Sequence, residues 1–439
     1  MSKLNILLLS NRPTKRSQAG TVFDHLNSFH KYSIHKILEL STIHSIPNTI
    51  DLDRFDVIVV HYTLGIGFEH FINNKTKSQL GRSKAIKVIF IQDEYRIIDK
   101  VIESMVSIDV DILFTAVPET EIYKVYSKEK FLDVKIVTNL CGYVPESFTN
   151  IMPPEFHSRP IDVGYRTRKT PFWLGKLGVD KWIIVDKFLK YCKDEDLIMD
   201  LSYNESDRIY GNKWPLFLMS CKSVLGVESG SSVFDFSGKI QEDVEEYTSI
   251  HPKAEFEEVF ELFLTNVDGK IKLNQISPRF FEAIYCKTLL ILFEGEYSGI
   301  LTPWKHYVPL KKDFSNIDKV LSVLRDPVEA QKIIDTAYSE IIKSGLYSYE
   351  KFIKRFDSEL YKSFSKKKST LVENPYSKKS FFISLYTNPD YLFRYMLSSV
   401  MQSIVLGFPI VRKNIFRLYF SLPTKIQKKI RPIAKFINK

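Results

Sequence analysis

The chain lacks the features that mark several protein classes. Its four cysteines, Cys141, Cys192, Cys221 and Cys286, share no spacing of a disulfide framework or a zinc site. The fold must therefore rest on an apolar core, with thiols expected reduced as in a cytoplasm. No metal or cofactor is expected. Long hydrophobic runs are also missing. The opening KLNILLLSNR is too short for a secretory h-region and turns polar at once, so it reads as a first buried strand. The longest uncharged run of the C-terminal segment, Tyr395 to Val411, falls short of the ~20 residues that span a bilayer.

What is present describes a folded protein. Apolar residues make up 44% of the chain and charged ones 26%. At 439 residues the chain is too long for one ordinary core and implies two domains plus an appendage. The net charge of +10 is unevenly placed: from Lys362 to Lys439 there are 16 Lys or Arg against two acids, Glu373 and Asp390. The basic character belongs to the tail, and the rest is slightly acidic.

Over residues 1–150, short aliphatic or β-branched runs alternate with amphipathic stretches. Runs at 5–10, 56–62, 87–94, 111–117 and 135–140 read as strands buried on both faces. Val22, Leu26 and Phe29 place a helix after the first of them. The proline-rich stretch 147–160 reads as a linker. A second alternation follows over 160–360, with strands at 161–168, 197–203, 223–230, 288–296 and 306–310 and helices near 256–264 and 278–287. Two Rossmann-like domains then face a cleft, with ligands at the carboxyl ends of their strands. Residues 361–439 form a basic amphipathic helical tail.

Residues 277 to about 360 carry an ordered series: Arg279-Phe280-Phe281-Glu282-Ala283, the buried strand after it, His306-Tyr307-Val308, Asp313, Arg325-Asp326-Pro327 and Tyr347-Ser348-Tyr349. This series resembles the C-terminal module of GT-B glycosyltransferases, of the "glycosyl transferases group 1" kind found in spore-maturation and surface-polysaccharide enzymes. The resemblance covers a fifth of the chain. It implies that Glu282 grips the ribose of a nucleotide-sugar donor, since a carboxylate can accept from two hydroxyls. Many relatives carry a second Glu eight residues earlier, where this chain has Asn274, a donor-site candidate whose amide can still donate and accept hydrogen bonds. The chain also departs at Lys287, where a Gly is usual.

Other candidates follow from placement. Arg166 and Arg168 sit after the first strand of the second domain, where relatives hold a diphosphate, and guanidinium forks suit phosphate oxygens. Glu228 and Ser229, in GVESGSS, end another strand and can meet a sugar hydroxyl or phosphate; a plain turn explains the small residues as well. Arg279 and Glu296 complete the donor set, although Glu296 can equally end its strand in water. In the first domain His61, Asp93 and Glu94 lie at strand ends and are the candidate bases for an acceptor hydroxyl. The alternative is that His61 packs in the core and the two acids cap the next helix.

The tail mixes aromatic and aliphatic residues with Lys and Arg, broken by Pro409, Pro423 and Pro432. Such a segment is expected to lie on an anionic bilayer rather than cross it. Nucleic acid is not expected, because base-stacking motifs are missing. The expected protein is a glycosyltransferase on the inner face of the plasma membrane, moving a sugar to a glycan or lipid-linked acceptor in surface polysaccharide synthesis. The alternatives are a polymer phosphotransferase of the teichoic-acid type and a non-catalytic, membrane-bound glycan-binding scaffold.

Overall fold

The computed structural model describes residues 3–13, 20–42, 44–148, 151–367, 370–389 and 391. They fall into two compact units, one of which holds nearly everything up to Pro375.

The larger unit contains two parallel sheets. The first has six strands: β1 (Asn5–Ser10), β2 (Lys36–Ser41), β3 (Val57–Val60), β4 (Ile86–Phe90), β5 (Ile112–Thr115) and β6 (Lys135–Thr138), in the order β2-β1-β3-β4-β5-β6. The second has five: β7 (Ile161–Arg166), β8 (Met199–Ser202), β9 (Cys221–Gly226), β10 (Leu289–Phe293) and β11 (Val308–Leu310), in the order β11-β10-β9-β7-β8. Every strand pair is parallel. The chain is thus an α/β protein with two Rossmann-like domains. Uninterrupted apolar runs such as VIVV and LLILF are buried at every position, as expected where helices cover both faces of a sheet.

In each sheet the strand order reverses once, between β1 and β3 and between β7 and β9. The connections leave to opposite faces at such a point and open a crevice outside the carboxyl ends of the strands. That rule locates the site described below.

All ten expected strands are present. The additional one, β2, is an edge strand whose alternating burial makes its sequence, KILELS, less conspicuous than a continuous apolar run. A second difference concerns the helix Tyr349–Lys366. Expected with the second domain up to residue 360, it buries Tyr349, Phe352, Ile353, Phe356 and Leu360 in the core of the first domain, with Phe29, Phe90 and Phe114. These five residues form one helical stripe, and a stripe does not specify which sheet it covers. Tyr349 also donates its hydroxyl to the Thr21 carbonyl at 3.1 Å.

Among the described residues, the smaller unit comprises 13, 46–51, 376–389 and 391. Its described part centres on the helix Lys378–Tyr386, which Ser377 caps through the Ser380 amide. Phe381 and Leu385 are buried, while Phe382, Ile383 and Tyr386 are exposed beside Lys378 and Lys379. The expected basic tail beyond Tyr391 lies outside the described residues.

Candidate functional site

The loops after β7 and β9 flank the reversal point of the second sheet, and the helix Pro278–Tyr285 points its N-terminus at them. Together they line a cavity of about 230 Å³. The helix can come close because β9 ends in glycine: a Cβ at Gly226 would stand 2.4 Å from the Phe280 ring. Four cations line this cavity, Arg168, Lys181, Arg208 and Arg279. Arg208 is ion-paired with Glu205 at 2.7 Å, and Arg279 donates to the Arg166 carbonyl at 2.6 Å. Arg168 is exposed and makes no hydrogen bond or ion pair among the described residues.

Lys181 comes from the helix Gly175–Tyr191 and donates to the Gly230 carbonyl at 3.1 Å. Its pKa is lowered to about 8. Burial is the main cause, and the nearby Arg168 and Arg279 add to it, against the pull of Asp93. A crowded set of cations at the end of a parallel sheet is what a polyanionic ligand would relieve.

The expected donor residues are distributed as follows. Arg168, Glu228, Ser229 and Arg279 line the cavity. Glu228, however, is engaged within the protein: its Oε1 accepts the amides of Glu296 (2.9 Å) and Tyr297 (2.8 Å), and its Oε2 accepts the Asn274 side chain (2.6 Å). Glu228 and Asn274 thus hold loops together, and Glu296 contributes an amide while its side chain faces solvent. Ser229 exchanges backbone hydrogen bonds with Gln275.

Two residues are placed differently from expectation. Arg166, assigned to the diphosphate, turns away. Its Nη2 meets Asp200 at 2.6 Å, other bonds reach the Asp200 and Asp207 carbonyls, and its guanidinium lies over Phe217. Alternation decides this, because in an extended strand Arg166 and Arg168 share a side only while the strand continues, and β7 stops at Arg166. Glu282, assigned to ribose, is buried one turn below Arg279 and does not line the cavity. It accepts the Trp214 indole N–H at 2.7 Å. Burial raises its pKa to about 7, with Asp24 of the first domain pushing the same way.

The three candidate bases separate just as sharply. His61 is fully buried. Its Nδ1 meets the Thr63 amide at 3.2 Å and the Thr63 hydroxyl at 3.0 Å, and its Nε2 meets His25 Nδ1 at 2.9 Å. Burial and the neighbouring His25 hold it neutral, well below the usual range. Glu94 is also turned inward, accepting the Ala116 amide at 2.5 Å and the hydroxyls of Thr115 and Tyr126. Burial lifts its pKa to about 7. Neither side chain has a free face for an acceptor. Asp93 does: it takes a left-handed backbone (φ 58°), holds the Tyr95 hydroxyl at 3.0 Å through Oδ1 and lines a second cavity.

This second cavity, about 640 Å³, adjoins the first. Tyr95, Arg168 and Leu174 line both. Asp93, Tyr95 and Arg96 reach it from the first domain, and the remaining lining residues belong to the second. A backbone clasp fixes the approach: the Asp235 amide donates to the Tyr95 carbonyl at 2.9 Å, and the Asp99 amide to the Phe236 carbonyl at 3.0 Å.

Lys181 was not anticipated from the sequence. A single Lys within an amphipathic helix reads as a solvated residue, and only the fold brings it beside Arg168.

No family model matches the chain, and no curated protein matches it. Several solved structures are similar to it. TarM, a protein of S. aureus, is 14% identical over 70% of this chain, with a TM-score of 0.39. The chain spans about half the length of TarM (55%). T4 phage BGT, solved with UDP and Mn2+, is 10% identical over 82% of this chain and 99% of BGT, with a TM-score of 0.47. Sucrose-phosphate synthase from Thermosynechococcus elongatus is 8% identical over 83% of this chain and all of that one, with a TM-score of 0.42. At these values the function has to rest on the chain's own residues.

Proposed function

We propose that the chain is a GT-B glycosyltransferase that moves a sugar from a nucleoside-diphosphate donor to a glycan or lipid-linked acceptor. The observation that carries this reading is the meeting of Arg168, Lys181 and Arg279 around the cavity at the carboxyl ends of the second sheet, with Asp93 of the first domain on the adjoining cavity. Clustered cations suit a diphosphate and stabilise the charge that grows on it as it leaves.

In the step itself, the acceptor hydroxyl oxygen bonds to the anomeric carbon. Its proton passes to Asp93, and the bond from that carbon to the diphosphate breaks with its electron pair leaving on the nucleoside diphosphate. Asp93 is the candidate base because His61 and Glu94 are enclosed and a base must come within hydrogen-bond reach of the hydroxyl. Glu282 supports the site by holding Trp214, against which Arg279 lies at 5.5 Å. Synthesis of a surface polysaccharide at the inner face of the plasma membrane fits the basic tail, which an anionic bilayer attracts.

The test is product analysis with a panel of nucleotide sugars. The transferase releases a nucleoside diphosphate, a polymer phosphotransferase releases the monophosphate, and a binding scaffold releases neither. Asp93→Asn lowers kcat by roughly 10²–10⁴ with donor affinity retained; full turnover in that variant removes Asp93 from the chemistry.

A further inference from the structure

The charges of the 640 Å³ cavity carry information about its ligand. Three carboxylates line it, Asp93, Glu205 and Glu245. Glu205 is held by Arg208 at 2.7 Å. Glu245 accepts the Trp173 indole N–H at 3.2 Å and the Gln241 amide at 2.7 Å. The cations are likewise occupied: Arg96 donates to Gln241 at 3.1 Å and lies over Trp173 at 5.3 Å, and Lys169 lies over Trp182 at 4.9 Å. The wall is therefore a mosaic of three carboxylates and three cations, most of them engaged within the protein, set among tyrosine and tryptophan rings. Arg168 stands apart, at the border with the donor cavity.

From this mosaic we infer that the cavity takes an uncharged, hydroxyl-rich ligand, a saccharide of one to a few units that presents a free hydroxyl to Asp93. This rests on the transfer reading above and names its acceptor class. A hydroxyl both donates and accepts, so a sugar can bond carboxylates, amides and guanidinium groups without displacing their partners. Its apolar ring face suits aromatic side chains such as Tyr203. A phosphate-bearing polyol would add charge to a wall whose three carboxylates already balance its three cations, Arg96, Arg168 and Lys169. The volume lies within the range of about 300–1,000 Å³ usual for ligand sites. Asp93, Tyr95 and Arg96 of the first domain and the remaining lining residues of the second share this cavity, so the acceptor meets both domains.

The experiment overlays the full chain on an array of short oligosaccharides, some uncharged and some bearing phosphate or uronic acid, and measures binding of nucleoside diphosphates in parallel. Uncharged saccharides are retained. Gln241→Ala, which removes the amide that bridges Arg96 and Glu245, and Tyr203→Ala each reduce that retention by about tenfold or more and leave nucleoside-diphosphate affinity unchanged. Gln241 is only half-buried on its helix, so its variant serves if Tyr203→Ala fails to fold. Retention of only the charged saccharides, of none, or equally by wild type and Gln241→Ala overturns the inference while the transfer reading stands. Failure of the wild type to bind any nucleoside diphosphate overturns the transfer reading itself.

Discussion

Asn274 donates its side-chain amide to Glu228 at 2.6 Å, which ties the segment before the helix Pro278–Tyr285 to the end of β9. The other carboxylate oxygen of Glu228 holds the amides of Glu296 and Tyr297, so one side chain fixes three loops around the cationic cavity. Gly295 packs so closely on it that a Cβ would lie 2.6 Å from the carboxyl carbon.

Glu228→Ala should therefore act on stability first. It leaves two backbone amides without their acceptor, at about 1–3 kcal/mol each, so urea denaturation should show a loss on the order of 3 kcal/mol. Glu228→Gln keeps an acceptor for those amides and should lose clearly less. Equal stability of wild type and the Ala variant would contradict this bracing role.

Three buried carboxyls should make the protein less stable as pH rises through the mildly acidic range. Burial raises Asp24 to about 6 and Glu94 and Glu282 to about 7, above their ordinary values. Between roughly pH 4 and pH 7 the folded state then binds more protons than the unfolded one, so unfolding free energy falls with pH. The contribution is fully present below the ordinary values and lost as pH passes the raised ones. Glu282→Gln, which keeps an acceptor for Trp214 and carries no charge, should flatten the profile by up to about 3 kcal/mol. An unchanged profile in that variant would mean that Glu282 ionises as freely in the fold as outside it.

Lys181 predicts a pH dependence of opposite origin. With a pKa near 8 it loses its charge as pH rises from 7 to 9, while a phosphate, with its second pKa at about 6, stays ionised. Affinity for a nucleoside diphosphate should fall over that range, by up to about tenfold per pH unit above 8. Lys181→Met should bind more weakly at pH 7 and lose the dependence. A wild-type affinity constant from pH 7 to pH 9 would place Lys181 outside the site.

How far the site could be read in advance depended on what each residue type reveals. The continuous apolar runs of β3 and β10 disclosed both sheets, and the positions of β7 and β9 disclosed the crevice. Side-chain direction was not so legible. Asp93 and Glu94 are adjacent acids of similar chemistry, yet the left-handed turn at Asp93 leaves one on a cavity and sends the other among Thr115, Ala116 and Tyr126. Arg166 and Arg168 differ in the same way, through the Asp200 that waits on β8 for the first of them. Such partners are remote in sequence and are brought together only by the fold.

The tail offers a separate test. Residues 392–439 hold ten Lys or Arg and no acid, and each cation near an anionic bilayer contributes roughly 1 kcal/mol. The full chain should sediment with vesicles containing anionic lipid and be released by salt, and a chain ending at Tyr391 should stay in solution. Equal sedimentation of the two would locate any membrane contact elsewhere.

Whether the cationic cavity holds a nucleoside diphosphate is tested most directly by calorimetric titration of the full chain with UDP, GDP, ADP, CDP and dTDP, repeated on Arg168→Ala. At least one of them should bind the wild type, and the variant should bind about tenfold or more weakly, the worth of a charge-assisted hydrogen bond. No binding by any of the five, or equal binding by wild type and Arg168→Ala, would contradict this role of the cavity.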